Sequence, residues 1–353
     1  MLAESTSYDS RFANKKHGDI IHVNQIYSYQ DKLHKLDCLD EVETQKKLEL
    51  LKKIKNTLKS IDSPVRIVVA GGFNAGKSTF LNALLGAEYM PTKAVRSTAI
   101  VNCLIAGNSK ELIIYYYDGT LEKLPYESPE QLRTQVLERM KHESDLIEHI
   151  DIVCTEHAFL EKFTLIDTPG TDHSEKDSKI SFREVKKADA LIWVLHNEGI
   201  KKDDDTYISN FHKDNPDKPI IVIINQIDSL DDSELKSVLR TVKDKTADKV
   251  KKIFPISAKY AFTGHKDNDG LKFKKSRFSE VETYLRSELF GAYGELHKVK
   301  LHSSCMPVIE EIDDFLHYHE AMLSKRGTEH GAIKSTFLNK KSEILLKERI
   351  DKI

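Results

Sequence analysis

One segment constrains the fold of this chain more than any other, the octapeptide Gly71-Gly72-Phe73-Asn74-Ala75-Gly76-Lys77-Ser78. It fits the pattern G-x-x-x-x-G-K-[ST] and lies between an apolar, mostly β-branched stretch at Val65 to Ala70 and a helical pattern at Lys77 to Leu85. This order predicts a phosphate-binding loop, because glycines let several backbone N–H groups point inward and the helix N-terminus adds its positive dipole end. We expect Lys77 to reach the β- and γ-phosphates of a nucleotide and Ser78 to place its hydroxyl on Mg²⁺, with nucleotide contacts continuing to Thr79.

A second polar turn follows another buried strand. Phe163 to Ile166 runs into Asp167-Thr168-Pro169-Gly170. An aspartate at the end of such a strand is the usual outer partner of Mg²⁺, and the N–H of the glycine can meet the γ-phosphate. Asp-Thr-Pro-Gly alone could be an ordinary turn. After this phosphate-binding loop it predicts that Asp167 and Gly170 complete the phosphate side of the site.

The third motif indicates which base is bound. The buried strand Ile220 to Ile224 opens into Asn225-Gln226-Ile227-Asp228. The Asp228 carboxylate can accept both N1–H and the N2 amino group of guanine, which adenine does not offer, and without them it would be left unpaired. Ser257-Ala258-Lys259 follows a strand ending at Pro255 and fits the loop whose backbone N–H binds the guanine O6. Together these motifs predict GTP and GDP as ligands.

Strand and helix patterns alternate through the middle of the chain and predict an α/β fold with a mostly parallel central sheet in three layers. Strands are expected near 65–70, 99–105, 112–117, 150–154, 163–166, 191–195, 220–224 and 253–255, with helices near 129–141, 178–187, 204–212 and 234–249. Helical patterns flank this region on both sides. The predicted divisions are a mobile arm at 1–34, a helix at 35–62 with the apolar stripe Leu51, Ile54, Leu58 and Ile61, a nucleotide-binding domain at 63–277, and C-terminal helices at 278–353 with breaks near 291–294, 307 and 327–331.

Composition and charge exclude several classes of protein. Hydrophobic residues make up 39% of the 353 residues and charged residues 31%, which is ordinary for a globular chain. Lys and Arg total 54 against 56 Asp and Glu, so no bulk positive charge attracts nucleic acid. The apolar runs are far shorter than the roughly 20 residues needed to cross a bilayer, and we expect a cytoplasmic location.

The four cysteines are widely spaced, which argues against zinc and disulfides and predicts buried or idle thiols. The last helical pattern ends without a C-cap, so we expect a fragment of a longer protein.

The ordered motifs resemble those of bacterial dynamin-like proteins over residues 60–300. Gly72 to Gly86 is similar to that family's phosphate-binding segment, and Pro91-Thr92 followed by Arg96-Ser97-Thr98-Ala99 is similar to its switch I. The resemblance places Thr98 as the threonine that joins Mg²⁺ and the attacking water, or Ser97 if the register slips by one residue. It implies a GTPase whose flanking helices form a neck or bundle base coupled to self-assembly and membrane remodelling.

The same resemblance implies partners. These are a second copy of the GTPase domain or a paired dynamin-like protein, and membrane lipid at the inner face of the membrane, reached through parts outside this chain. No nucleic acid is expected as a partner.

Two positions depart from related patterns. Gln226 stands where most of the family carries lysine, which shortens the stem that packs over the base. Thr171 stands just after the switch II glycine, where small signalling GTPases place a glutamine that orients water. The family replaces that glutamine by domain pairing and a monovalent cation, and Asn74 is at the position where cation-dependent GTPases often carry a ligand for K⁺ or Na⁺. An asparagine that tolerates an awkward backbone angle explains Asn74 equally well.

Two further functions are open at this level. A nucleotide-dependent scaffold with negligible hydrolysis is suggested by Thr171 and Gln226. A ribosome-assembly GTPase usually carries a basic RNA-binding domain, whereas residues 297–353 hold ten basic and nine acidic side chains.

Among other candidate residues, His317 and His319 do not share a helix face and so are not expected to bind metal. Trp193 is expected in the core, and the lysines at 272–275 fit either lipid contact or an exposed loop.

Overall fold

The computed structural model describes residues 17–36, 39–91, 100–171 and 174–325, and it divides into two compact units. One unit comprises residues 60–303 and contains the sheet. The other combines residues before 60 with residues after 303, and its described part is helical. The predicted switch I residues Ser97 and Thr98 lie outside the described residues, as does the predicted break at 327–331.

A nine-stranded mixed sheet forms the centre of the unit 60–303. Its strands are β1 Val65–Gly71, β2 Val101–Ala106, β3 Glu111–Tyr116, β4 Leu121–Pro125, β5 Ile147–Cys154, β6 Phe163–Asp167, β7 Ala190–Leu195, β8 Ile220–Ile224 and β9 Lys252–Pro255. Their order is β4-β3-β5-β2-β6-β1-β7-β8-β9. The pairs β6–β1, β1–β7, β7–β8, β8–β9 and β2–β5 are parallel, whereas β2–β6, β3–β4 and β3–β5 are antiparallel. The predicted α/β class with a mostly parallel sheet is confirmed.

Helices pack on the two faces of this sheet. In chain order they are α3 Lys77–Leu85, α4 Pro129–Glu143, α5 Glu175–Lys186, α6 Lys202–Asp214, α7 Asp232–Thr246, α8 Ala258–Lys266, α9 Gly270–Lys275, α10 Phe278–Tyr284 and the start of α11 Tyr293–Lys325. Two helices, α1 His17–His34 and α2 Glu41–Ile61, come earlier in the sequence. Strands β7 and β8 are buried along their whole length. This burial explains their unbroken apolar sequences, since both faces of a central parallel strand are covered.

The single tryptophan, Trp193 on β7, is buried in the core as the sequence predicts. Its Nε1 donates a hydrogen bond to Oδ1 of Asp204 at 2.9 Å, and its ring stacks on Tyr207 with centroids 5.3 Å apart. A buried indole N–H normally has such a partner. Cysteines 103, 154 and 305 are buried free thiols, also as predicted.

The α/β unit continues past its predicted end at residue 277. Phe278, Val281 and Leu285 are fully buried, and the Phe278 ring lies 5.9 Å from that of Phe80 on α3. A π-helical turn at Leu285–Leu289 and a break then precede α11, which confirms the predicted interruption near 291. The boundary moves because α10 supplies apolar side chains to the sheet's own core.

The structure corrects the prediction of a mobile arm without helical periodicity over residues 17–34, because α1 spans His17–His34. Its buried residues Val23, Ile26, Tyr29 and Leu33 follow a helical spacing. The pattern is hard to detect from sequence because polar side chains and a tyrosine dilute it. Residues 1–16 lie outside the described part of the chain.

Helix α2, Glu41–Ile61, confirms the predicted helix, although its buried stripe is rotated. Leu50, Ile54 and Ile61 are buried, whereas the predicted members Leu51 and Leu58 are only half-buried. The predicted break at Pro307 is wrong, since α11 runs through it. A proline inside a helix removes one hydrogen bond and can be retained where packing holds the rest of the helix.

Polar contacts join α2 and α11 within the helical unit. Nδ1 of His319 lies 2.9 Å from Oε1 of Glu43, and both side chains are nearly inaccessible. Glu311 accepts hydrogen bonds from Lys46 and Lys53 at 2.7 Å. No described helix has both the length and the apolar run needed to span a bilayer.

Candidate nucleotide-binding site

The phosphate-binding loop lies where β1 ends and α3 begins. Its last glycine, Gly76, has φ +90°, and a Cβ at this position would lie 2.2 Å from Nδ2 of Asn225. Only glycine combines this backbone angle with so close an approach. The loop geometry therefore depends on Asn225, a residue far along the sequence that directly follows β8.

Lys77 is buried inside this loop. Its Nζ donates hydrogen bonds to the carbonyls of Gly71 at 3.0 Å and Gly72 at 2.8 Å. The cation is thus held at the mouth of the loop by the backbone that a phosphate would approach. This is the position that the motif predicts for a lysine contacting phosphate.

Ser78, in the first turn of α3, lies next to Asp167, the last residue of β6. The Ser78 hydroxyl donates to Oδ2 of Asp167 at 2.7 Å. Oδ1 of Asp167 is buried and has no hydrogen-bond partner. Burial raises the pKa of Asp167 to about 6, against the lowering effects of the Lys77 charge and the Ser78 hydrogen bond.

This donor set fits Mg²⁺. Within the described ranges no group of three His, Cys, Asp or Glu side chains could hold a metal ion. Mg²⁺ does not need such a cage, because it usually takes one or two protein groups together with phosphate oxygens and water. A serine hydroxyl beside a buried carboxylate with an unused oxygen supplies that minimal set.

The turn after Asp167 lies against the phosphate-binding loop. Thr168 donates from both its N–H and its hydroxyl to the carbonyl of Val69, at 3.2 and 3.1 Å. A Cβ on Gly170 would lie 2.6 Å from Cα of Phe73, so no side chain fits there. Thr171 is buried, and its N–H donates to the carbonyl of Gly71 at 3.3 Å.

Asn225 joins three loops rather than pointing to a base. Its Nδ2 donates to the carbonyl of Ala75 at 2.8 Å. Its Oδ1 accepts from the N–H groups of Gln226 at 2.8 Å and Ala258 at 2.9 Å. The side chain is 2% exposed. Sequence reasoning predicted Asn225 as a ligand residue but did not identify this structural role, because the partners are backbone groups that no pattern reveals.

The other base-side residues lie around this junction. Gln226 adopts a left-handed backbone (φ 65°), and its Nε2 donates to the carbonyl of Asn74 at 2.7 Å. Asp228 is exposed on the short 3₁₀ turn Ile227–Ser229. The Ser257 hydroxyl caps α8 by accepting from the N–H of Tyr260 at 3.1 Å. In the loop predicted to bind guanine O6 through a backbone N–H, the Ala258 N–H is bonded to Asn225 and Lys259 is exposed.

Asn74 is exposed and has φ 59°, the left-handed region that asparagine tolerates better than most residues. This geometry matches the interpretation of Asn74 as a turn residue, and its role toward a cation stays a prediction. A cavity of about 190 Å³ flanks the loop on the β7 side, lined by Phe73, Asn74, Thr171 and His196 among others. It lies beside the phosphate position and not over Lys77 or Ser78.

The predicted residues of the phosphate side and the base side of the site, Thr98 excepted, thus lie together at one edge of the sheet, where β1, β6, β8 and β9 end. This arrangement defines the class of P-loop nucleotide-binding domains. Ligands of open α/β sheets bind at this carboxyl edge.

Comparison with known proteins narrows the class. The dynamin family model matches residues 67–227. Dynamin-like protein 2 of Campylobacter jejuni is 27% identical over 240 residues, covering 66% of this chain and 36% of that protein. Dynamin-like protein A of Bacillus subtilis is 28% identical over 180 residues, or 50% of this chain and 14% of that one. Residues 67–227 are therefore similar to the dynamin family, and both of these relatives are bacterial dynamin-like proteins.

The fold has a solved counterpart. The match to a structure of an oligomerised bacterial dynamin pair covers 96% of this chain and 53% of the solved chain. Its TM-score is 0.55 and the sequence identity is 21%. That work concerns long-range sensing and tethering of membranes. This chain spans 36% of the Campylobacter protein, 14% of the Bacillus protein and 53% of the solved chain.

Proposed function

We propose that this chain binds GTP and GDP at the carboxyl edge of its sheet and hydrolyses GTP to GDP and phosphate in the presence of Mg²⁺. The observation that carries the proposal is the Ser78–Asp167 pair, at 2.7 Å, beside the buried ammonium of Lys77. An unused carboxylate oxygen, a serine hydroxyl and a lysine at a phosphate-binding loop match the needs of phosphoryl transfer.

On the phosphate side, Lys77 would leave its two loop carbonyls to pair with the β- and γ-phosphates, where it offsets the charge that develops as the phosphoryl group leaves. Ser78 and Thr98 would bind Mg²⁺ directly, and Asp167 would accept a hydrogen bond from its water shell. When bound, Mg²⁺ offsets the charge of the β- and γ-phosphate oxygens. The N–H of Gly170 would donate to the γ-phosphate.

On the base side, Asp228 would accept both donors of the guanine edge, with the loop Ser257 to Lys259 closing over the opposite side. Asn225 would hold these two loops in register with the phosphate-binding loop. Gln226, bonded across to Asn74, would cover the base with a shorter stem than a lysine provides.

We further propose that two copies of the domain, or a copy and a related dynamin-like protein, pair to complete the catalytic site. Thr171 is buried and cannot orient water as a glutamine would, so this position does not supply that device. K⁺ or Na⁺ held near Asn74 would supply positive charge. In the full protein, such pairing would drive self-assembly and remodelling at the inner face of the membrane, with lipid contacted by parts outside this chain.

The test is GTP turnover per protomer as a function of protein concentration, in K⁺, Na⁺ and choline buffers, with and without Mg²⁺. A specific rate that rises with concentration supports hydrolysis through pairing, and equal rates in the three buffers would remove the cation role. Lys77→Ala is the matched control and should lie at the no-enzyme rate.

A second function, a nucleotide-dependent scaffold, is favoured by the burial of Thr171. It predicts tight GTP binding with a flat turnover that equals the Lys77→Ala control at every concentration. Multiple turnovers above that control would exclude it.

A further inference from the structure

A buried asparagine beside the Ser78–Asp167 pair has an unused acceptor. Asn102 lies on β2, and its side chain is 5% exposed. Its Oδ1 has no hydrogen-bond partner. Directly opposite in the antiparallel β2–β6 ladder is Asp167, whose Oδ1 also has none. In the sequence this stretch is simply an apolar strand, and nothing in it marks Asn102 as functional.

The two side chains project from the same face of the sheet. Residues directly opposite in an antiparallel pair share a face, with Cβ atoms about 4.5–5.5 Å apart. Ile100 and Leu104, two residues to either side of Asn102, belong to the same core cluster as Phe80 and Leu81 of α3. Asn102 therefore lies on the side from which Ser78 reaches Asp167.

The two unused oxygens, Oδ1 of Asn102 and Oδ1 of the Asp167 carboxylate, cannot satisfy each other, because both are acceptors. Carboxylate and amide oxygens both need a donor, and buried polar groups in proteins nearly always have one. A water molecule has two hydrogens and can bridge two such oxygens. A water polarised by a cation is a stronger donor than one that is not.

We propose that Asn102 belongs to the outer shell of the Mg²⁺ site, where its Oδ1 and Oδ1 of Asp167 accept the two hydrogens of one metal-bound water. This inference rests on the proposed function. Asn102 is a positioning residue here, since it acts on Mg²⁺ through that water. Outer-shell partners of this kind typically change metal affinity by about 10- to 100-fold.

The test is the Mg²⁺ dependence of GDP binding in Asn102→Ala. Mg²⁺ slows the release of fluorescent GDP, and the Mg²⁺ concentration that gives half of this effect should rise about tenfold in the variant. GDP affinity in EDTA should stay within about twofold of wild type, because Lys77 and Asp228 are untouched. Thr164→Val, a buried polar residue on the opposite face of β6, is the matched control and should leave the Mg²⁺ requirement unchanged.

Thermal unfolding of the metal-free protein separates this role from a structural one. Because the Asn102 acceptor has no partner without the water, Asn102→Ala should leave the metal-free Tm unchanged or higher, while the rise in Tm on adding Mg²⁺ and GDP shrinks. A lower metal-free Tm with an unchanged Mg²⁺ requirement would overturn the assignment and make Asn102 a structural partner of Asp167.

Asn102→Asp completes the set. It keeps an acceptor and adds charge, so its Mg²⁺ requirement should equal or fall below that of wild type, whereas a requirement as high as that of the alanine variant would contradict the proposal. A wild-type chain that binds no guanine nucleotide overturns the proposed function and this assignment together. Normal Mg²⁺-dependent binding in all three variants overturns the assignment alone.

Discussion

Asn225 bonds to a carbonyl of the phosphate-binding loop, to its own neighbour's N–H and to the N–H of Ala258. One side chain thus fixes the spacing between the phosphate side and the base side of the site. Its importance comes from the number of buried backbone groups that depend on it, since each would otherwise lack a partner.

Asn225→Ala should therefore lower the unfolding free energy by at least about 2 kcal/mol, and it should weaken GDP and GTP by similar factors. Asn225→Asp keeps the acceptor and loses only the donor to Ala75, so its effect should be smaller. Urea unfolding and nucleotide titration measure both. A normal stability with selective loss of GTP would contradict this account.

Asp228 offers a test of base choice. Asp228→Asn replaces one acceptor by a donor and should weaken guanine nucleotides by about 100-fold or more. It should accept xanthine nucleotides instead, because xanthine carries a carbonyl where guanine has its amino group. Competition between GTP and XTP measures the switch, and unchanged GTP preference would rule out the proposed contact.

At the scale of elements, α3 does more than present Lys77 and Ser78. Asn82, fully buried on α3, donates from Nδ2 to the carbonyl of Met90 at 2.8 Å and accepts from its N–H at 2.7 Å. The helix thus holds the backbone just before the segment that contains Thr98.

Asn82→Ala should cost about 2–4 kcal/mol of unfolding free energy, since two buried backbone groups lose their partner. Asn82→Asp keeps the acceptor for the Met90 N–H and should cost less. Denaturant unfolding of the two variants gives the comparison. If both variants were as stable as wild type, water would have replaced the two Asn82–Met90 hydrogen bonds.

The start of α11 is attached to the start of β1 by Lys300. Its Nζ donates to the carbonyl of Ser63 at 2.6 Å, to the Ser63 hydroxyl at 2.8 Å and to the carbonyl of Pro64 at 3.0 Å. Burial lowers the pKa of Lys300 to about 8, with Asp189 acting in the opposite direction.

This pKa gives a signed pH dependence. An unfolded lysine has a pKa near 10.4, so between about pH 8 and 10 the unfolded chain binds more protons at this group than the folded one. The contribution of Lys300 to unfolding free energy therefore rises with pH in that window. The unfolding free energy of wild type minus that of Lys300→Met, measured in urea, should become more positive from pH 8 to pH 9.5. A constant or falling value would contradict the assignment.

The motifs could be assigned from sequence because each lies at or just after the end of a strand, and parallel strands bring their carboxyl ends to one edge. The roles of Asn225, Asn102 and Asn82 could not, since they depend on strand order and on backbone partners distant in sequence. Helix α1 was missed for a different reason. Its buried stripe includes Tyr29 between polar residues, so its periodicity is weak.

At the scale of the whole molecule, the extension of the α/β unit to residue 303 predicts where the chain can be cut. Residues 278–289 contribute four buried apolar side chains, Phe278, Val281, Leu285 and Leu289. At about 1.5–3 kcal/mol each, their loss is comparable with the whole stability of a domain. A chain of residues 60–303 should unfold cooperatively and bind GDP, and one of residues 60–277 should do neither. Circular dichroism melts compare them, and equal melts would restore the earlier boundary.

Trp193 has a practical consequence. It is the single indole in the chain, it is buried on β7 next to β1, and it is bonded to Asp204, which also lines the cavity beside the phosphate-binding loop. Its fluorescence therefore comes from one place, opposite Ala70, the residue before the loop begins. Intrinsic emission can report nucleotide occupancy and unfolding of this domain without any attached dye.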